Sequence, residues 1–296
     1  MENAIIVHSD KYSNWVFDPT HPTQGRRFQL ARNQFIQKAQ NHNLNIYEIE
    51  PNYPHIDDLF LIHEPNYVRK VIDGYSDEWV GQRKDLGDLA QLFVGGTLTA
   101  LDELLCGHTN LAIHFPGGKH HAQYDRSSGF CVFGDLAIAA TKATSLGNKV
   151  AIFDCDAHHG DGTENLLRKN PKVLKFSVHQ YGIFPYTGLT SDFENKVFNF
   201  PLAENTGDKG LELATMSFIE SAMAFNPNLI FIACGADGLA EDPLAGLNYT
   251  VGGYSEAMQQ IRYEFPETPI LFVGSGGYTP DTGTPAVWSE SALSLI

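Results

Sequence analysis

Short apolar runs separated by segments of helical periodicity constrain this chain more than any other feature. The runs fall at residues 4–8, 44–48, 111–115, 149–154, 173–178, 197–200, 229–234 and 270–274. Several are continuous and rich in Val, Ile and Phe, as strands buried on both faces of a parallel sheet require. Helix-like segments lie between them at 28–40, 89–105, 136–145, 163–169, 211–225 and 255–265. Within 89–105, apolar residues return at three- and four-residue steps, which gives one buried helix face. The alternation predicts an α/β fold, a mainly parallel central sheet flanked by helices. No linker, low-complexity tract or internal repeat interrupts it, so residues 1–296 are expected to form one domain.

Composition narrows the class. A hydrophobic fraction of 43% and a charged fraction of 19% suit a soluble globular protein. The net charge of −15 argues against a nucleic-acid surface, which needs clustered Lys and Arg. It suits a cationic substrate, but more simply a protein kept soluble by its charge. The opening MENAIIVHSD has neither the basic start nor the apolar length of a signal peptide, and no stretch is long enough for a membrane helix. The four cysteines are scattered without a CxxC pair, so a reducing cytoplasm is expected.

In open α/β sheets, ligands sit beyond the carboxyl ends of the strands. Four polar, glycine-containing clusters lie there. The first is DCDAHHGD, residues 154–161. In an extended segment side chains alternate, so Asp154, Asp156 and His158 point one way. Carboxylates and imidazole suit a divalent metal such as Zn²⁺, and like-directed polar groups after a buried strand are costly if unsatisfied. A solvated acidic loop would carry the same residues. The second is GGKHH, ending in His120 and His121, which glycines can bring close to a ligand or leave exposed on a loop. The third, CGADGLAEDPL, places Asp237 three residues past a strand, as a ligand or as a turn or cap residue. The fourth, GSGGY, presents Tyr278 to a ligand or packs it in a glycine turn. Each cluster is moderately specific, but their convergence on one sheet edge is much more so.

These residues bring the chain close to a known family. It resembles the histone deacetylase superfamily, which includes bacterial acetylpolyamine amidohydrolases and acetoin-utilisation proteins. The matching stretches are HPTQGRRF (21–28), PGGKHHA (116–122), SGFCVFGDLAIAA (128–140), FDCDAHHGDGTENLL (153–167), FSVHQYGIFPYTG (176–188), GADGLAEDPLAGL (235–247) and GSGGYTP (274–280). They run in the family's order over nearly the whole chain. The resemblance implies an arginase/deacetylase-type fold and a zinc ion held by Asp156, His158 and Asp237, with one position open for catalysis. It pairs His120 with Asp154 and His121 with Asp161. His121 is then expected to be the general base and acid, His120 the electrostatic support, and Tyr278 the donor to the oxyanion. It further implies a tunnel walled by Phe130 and Phe184, with the Gly129 carbonyl on the substrate amide and Leu244 at the rim. A monovalent cation, potassium, is implied beneath the zinc at Asp154, Asp156, the His158 carbonyl, Ser177 and the Val178 carbonyl.

The expected activity is therefore hydrolysis of an acetylated or acylated amine, with acetyl-lysine in a protein or peptide as substrate. An acetylated small amine of the polyamine type is the alternative, and Fe²⁺ suits the same donors as zinc. A non-catalytic zinc-binding module and arginase-like hydrolysis fit less well, because both histidines and Tyr278 are present. Lys119 departs from the family, where Gly or Trp is common, and is expected near the tunnel mouth. Arg27 matches an arginine near the family's acetate-release channel, or else is a surface residue at a helix start.

Overall fold

The structure, a computed structural model, describes residues 4–296; the first three residues of the segment read for a targeting signal lie outside it. Among the described residues, eight strands form one sheet: β1 (Ala4–Val7), β2 (Ile46–Ile49), β3 (Leu111–His114), β4 (Val150–Asp154), β5 (Val173–Gln180), β6 (Val197–Leu202), β7 (Leu229–Ala233) and β8 (Ile270–Val273). Their order is β2-β1-β3-β8-β7-β4-β5-β6, and every described pair is parallel. The central strands β3, β4, β7 and β8 are buried at every position, which is why they read as unbroken apolar runs.

The helices that cover the sheet are α1 (Arg26–Asn41), α2 (Ile56–Phe60), α3 (Pro65–Ile72), α4 (Lys84–Leu105), α5 (Asp135–Ser145), α6 (Asp161–Leu167), α7 (Asp208–Phe225), α8 (Val251–Glu264) and α9 (Gly283–Leu293). Parallel crossovers are right-handed, so the direction of each step along the sheet decides which face its helix covers. Steps toward β2 put α1, α7 and α8 on one face, and α9 packs between α1 and α8. Steps toward β6 put α4, α5 and α6 on the other. No helix among the described residues is long and apolar enough to cross a membrane.

All eight sequence-predicted strands are present, with shifted ends. β5 runs on to Gln180, because His179 and Gln180 keep their ladder partners Pro201 and Leu202. β6 includes Pro201, tolerated because β6 is an edge strand. The six predicted helices are found, and α2, α3 and α9 are additional.

Two features bring the strand-end loops together. The strand ends are level: His114 is in register with Val273, Val273 with Ala233, and Ala233 with Asp154. The chain also leaves β4 toward β5 and leaves β7 toward β8, in opposite directions along the sheet. The loops after these neighbours therefore diverge and open a crevice between them, the usual ligand position in such sheets.

A candidate metal centre at the ends of four neighbouring strands

The loops after β3, β8, β7 and β4 carry the four clusters, and these strands are consecutive neighbours. Asp156, His158 and Asp237 meet in the crevice, with one donor atom of each within 4.8 Å of the others. His158 Nδ1 lies 2.8 Å from Asp237 Oδ2 and 3.3 Å from Asp156 Oδ1. The remaining carboxylate capacity is used to fix the loops. Asp156 Oδ2 accepts from Gly276 N at 2.7 Å and Ser275 Oγ at 3.0 Å, and Asp237 Oδ1 accepts from Ala157 N at 2.8 Å. Gly276 must be glycine, since a Cβ there would lie 2.5 Å from Asp156 Oδ2 and 2.6 Å from Asp237 Oδ2.

The electrostatics are those of a cation site. All three side chains are buried. Burial, followed by the charge of Asp156, raises Asp237 to about 7. Burial also opposes a charged His158, yet its bonds to Asp156 and Asp237 overcome this and raise it to about 10. Two buried carboxylates gathered on one imidazole nitrogen, with negative charge in excess, are a donor set that fits a divalent metal.

Beside this group stand two imidazole–carboxylate pairs. His120 Nδ1 donates to Asp154 Oδ2 at 2.7 Å, and His121 Nδ1 donates to Asp161 Oδ1 at 2.7 Å. Burial lowers both histidines, but the charges of Asp154 and Asp156 and the Asp154 bond reverse this for His120 and bring it to about 9. For His121, burial and the neighbouring His120 charge prevail over Asp161, giving about 4. The surrounding carboxylates thus favour charge on the His120 ring over the His121 ring.

A cavity of about 430 Å³ leads to these groups. Gly129, Phe130, Phe184 and Leu244 line it, and His121, His158 and Tyr278 lie at its inner end. Phe184 meets the His121 ring edge-on at 4.9 Å, and Phe130 meets Tyr278 at 6.0 Å. Tyr278 is oriented by its backbone N, which donates to Asp242 Oδ2 at 2.7 Å. Of the residues assigned to a monovalent cation, Asp154 and Ser177 are register partners on β4 and β5 and line a cavity of about 10 Å³, near the volume that one water needs. Val178 follows on β5, beyond that cavity's lining.

Lys119 is not at the tunnel mouth, where it was expected. Its backbone N donates to the buried Asp135 carboxylate at 2.7 Å, and its ammonium lies 5.1 Å from the Phe93 ring and 5.8 Å from the Phe28 ring. That turn carries the side chain inward, to an inner cavity of about 20 Å³ that Arg27 also lines. Arg27 is buried as well, not a surface residue, and its guanidinium donates to the Gly277 carbonyl.

Sequence reasoning missed Glu78, which lines the 430 Å³ cavity and accepts from Phe130 N at 3.0 Å. This bond holds Phe130 in the left-handed region at φ +64°, unfavourable for a phenylalanine. No motif surrounds Glu78, so nothing local marks it. Asp242, Asp135 and Ser275 were also missed as orienting groups, although each lies inside one of the family-matching stretches. A carboxylate or hydroxyl within a glycine-rich loop after a buried strand was the available signal.

A parallel α/β sheet with a buried Asp–His–Asp group and two His–Asp pairs at its carboxyl end defines a hydrolase site of the deacetylase class. The family model described as "Histone deacetylase domain" matches residues 21–294, and the chain belongs to this family of hydrolases. The acetoin utilization protein AcuC of Staphylococcus aureus (strain MRSA252) is 32% identical over 324 residues, covering 100% of this chain and 82% of that protein. Histone deacetylase clr6 of Schizosaccharomyces pombe is 30% identical, covering 94% of this chain and 73% of that protein. Among solved structures, the HDA15 HD domain superposes with a TM-score of 0.87 at 22% identity, covering 99% of this chain and 88% of that one, which shows a common fold.

Proposed function

We infer that residues 1–296 act as one zinc-dependent deacetylase domain that hydrolyses an acetylated amine, with acetyl-lysine in a protein or peptide as substrate and acetate as product. One observation carries this reading: His121, His158 and Tyr278 line one cavity, and behind them stand the Asp156–His158–Asp237 group and the two imidazole–carboxylate pairs. Family membership supports it independently.

Asp156, His158 and Asp237 would hold the zinc ion, which when bound supplies Lewis acidity and a water of lowered pKa. The chain's own groups do the rest. Phe130 and Phe184 line up the methylene chain and exclude water, while the Gly129 carbonyl accepts the substrate amide N–H and Leu244 closes the rim. Neutral His121, its Nδ1–H fixed on Asp161, has Nε2 free to take a proton from the attacking water. The Tyr278 hydroxyl donates to the carbonyl oxygen as it becomes the oxyanion of the tetrahedral intermediate. His120, kept cationic beside Asp154, adds positive charge. Protonated His121 then delivers its proton to the leaving amine, which departs poorly without it. Potassium would sit at Asp154, Asp156, the His158 carbonyl, Ser177 and the Val178 carbonyl, stiffening the loop beneath.

The Glu78 carboxylate in the tunnel favours a second reading, an acetylated small amine with a further cationic nitrogen. The purified zinc form, assayed on acetyl-lysine peptides, longer acyl-lysines and acetylpolyamines, decides between them. Bound zinc with no turnover on any amide would replace both readings with a non-catalytic zinc-binding module.

A further inference from the structure

Lys175 lies on β5, a strand buried along its whole length, and its side chain is buried with it. A buried ammonium is costly unless its N–H groups are taken up. Here Nζ donates to two backbone carbonyls, Asn195 O at 2.8 Å and Leu167 O at 3.1 Å. Leu167 is the last residue of α6. Asn195 lies in the turn closed by the Asp192–Val197 bridge, just before β6. One cation therefore gathers the carbonyl oxygens of two segments that adjoin nowhere in the chain. The last carbonyls of a helix lack partners within it and carry partial negative charge, so a cation there is well placed.

The other end of α6 carries function. Its first residue, Asp161, accepts from His121 Nδ1 through Oδ1 and from Gln123 Nε2 at 2.8 Å through Oδ2. α6 has only seven residues, so a shift at its last carbonyl reaches Asp161 across roughly 10 Å of rigid helix. A second tie joins α6 to the same turn through Arg168, which bonds Glu164 and, at 2.6 Å, Asp192. It is 38% exposed and thus solvent-screened, whereas the Lys175 side chain is buried and its bond to Leu167 O is enclosed.

We propose that the Lys175 ammonium is a built-in cation for this carbonyl cluster, and that it is a positioning residue which fixes α6 so that Asp161 orients His121. The proposal rests on the role given to His121 under the proposed function. It also implies that the cluster, once emptied of the lysine, accepts a small monovalent cation, because potassium and ammonium ions match an alkylammonium in charge and bind carbonyl oxygens.

The test uses Lys175→Met, which keeps the bulk and removes the donors, and Lys175→Ala, which also opens space. Amide exchange across α6 and steady-state turnover are measured relative to wild type in potassium, ammonium or tetramethylammonium chloride at equal ionic strength. Lys175→Met should lose α6 protection and drop about tenfold in kcat with KM little changed. Lys175→Ala should regain both protection and kcat in potassium or ammonium, and neither in bulky tetramethylammonium. A Lys175→Met protein with wild-type α6 protection, or a Lys175→Ala protein indifferent to the cation, would overturn the proposal. If Lys175→Ala does not fold in any salt, Lys175→Arg decides: wild-type protection supports the cation's role, and protection as low as in Lys175→Met refutes it. A wild-type chain without turnover on any amide would remove the proposed function, while cation-dependent α6 protection would still judge the Lys175 site.

Discussion

His120 and His121 are adjacent in sequence, with ring centroids 4.0 Å apart, and each bonds a different carboxylate. At that distance a charge on one ring disfavours a resting charge on the other, so the second proton is held only until it is passed on. The carboxylates decide which one rests charged: His120 bonds the buried Asp154 and its Nε2 lies 3.7 Å from Asp156 Oδ2, whereas the partner of His121, Asp161, stands at the N-terminus of α6. His121→Ala is therefore expected to lose more turnover than His120→Ala. Asp161→Asn should lower kcat by about 10- to 100-fold. Steady-state kinetics of the three variants check this, and a greater loss in His120→Ala would reverse the assigned roles.

Asp237→Asn keeps an oxygen for the Ala157 N–H and replaces the oxygen facing His158 with an amide. Metal content and turnover should fall together, from about one zinc per chain toward none. Elemental analysis beside the activity assay reads both. Full metal content in the variant would remove Asp237 from the ligand set.

Tyr278→Phe leaves the Asp156, His158 and Asp237 atoms untouched. It should retain zinc while kcat drops by about a hundredfold or more. Wild-type turnover in this variant would rule out the oxyanion role.

His63 Nδ1 donates to Gln123 O at 2.9 Å, and its Nε2 accepts from Gly134 N at 2.9 Å, so the neutral tautomer is fixed. Burial lowers it from 6.5 to about 4. Between those values the unfolded chain binds the extra proton and the folded one does not, so stability falls as pH drops through this window. The loss is on the order of 3 kcal/mol once pH reaches the folded value. Denaturant unfolding from pH 7 to 4 should show it, and His63→Gln should flatten the slope. An unchanged slope in His63→Gln would assign the acid sensitivity elsewhere.

Trp288 on α9 stacks between Phe28 and Phe115, each 5.9 Å away, and its Nε1 donates to Cys234 O at 2.8 Å. Cys234 lies on the β7 side of the metal-centre loops. Trp288→Ala should cost about 3–5 kcal/mol of stability, read by denaturant unfolding. A cost below about 1 kcal/mol would show that α9 contributes little to the core.

The strands were legible because burial on both faces leaves an unbroken apolar run, a local property of the sequence. α9 was not legible: its GTPAVWSESAL is buried on most sides between α1 and α8, so no apolar stripe marks a face. α3 did carry a signal, Pro65 at the first turn after Glu64, whose side chain caps Tyr67 N. Asp156 and His158 were readable as ligands because two residues on an extended chain share a side. Asp237 was equally readable as a turn residue from its own neighbours; the family resemblance named it as the third member, and the fold brings it to 2.8 Å from His158.

By itself the sequence determined which segments are strands, that polar loops follow them, and, through its motifs, the family. Those properties depend on neighbours along the chain. Only the tertiary structure decided that β3, β8, β7 and β4 stand side by side, that Lys119 turns inward, that Glu78 enters the tunnel, and that Lys175 closes the end of α6. The reason is that crossover direction sets which strand ends adjoin and packing sets where a long side chain points, and both join residues far apart in the chain.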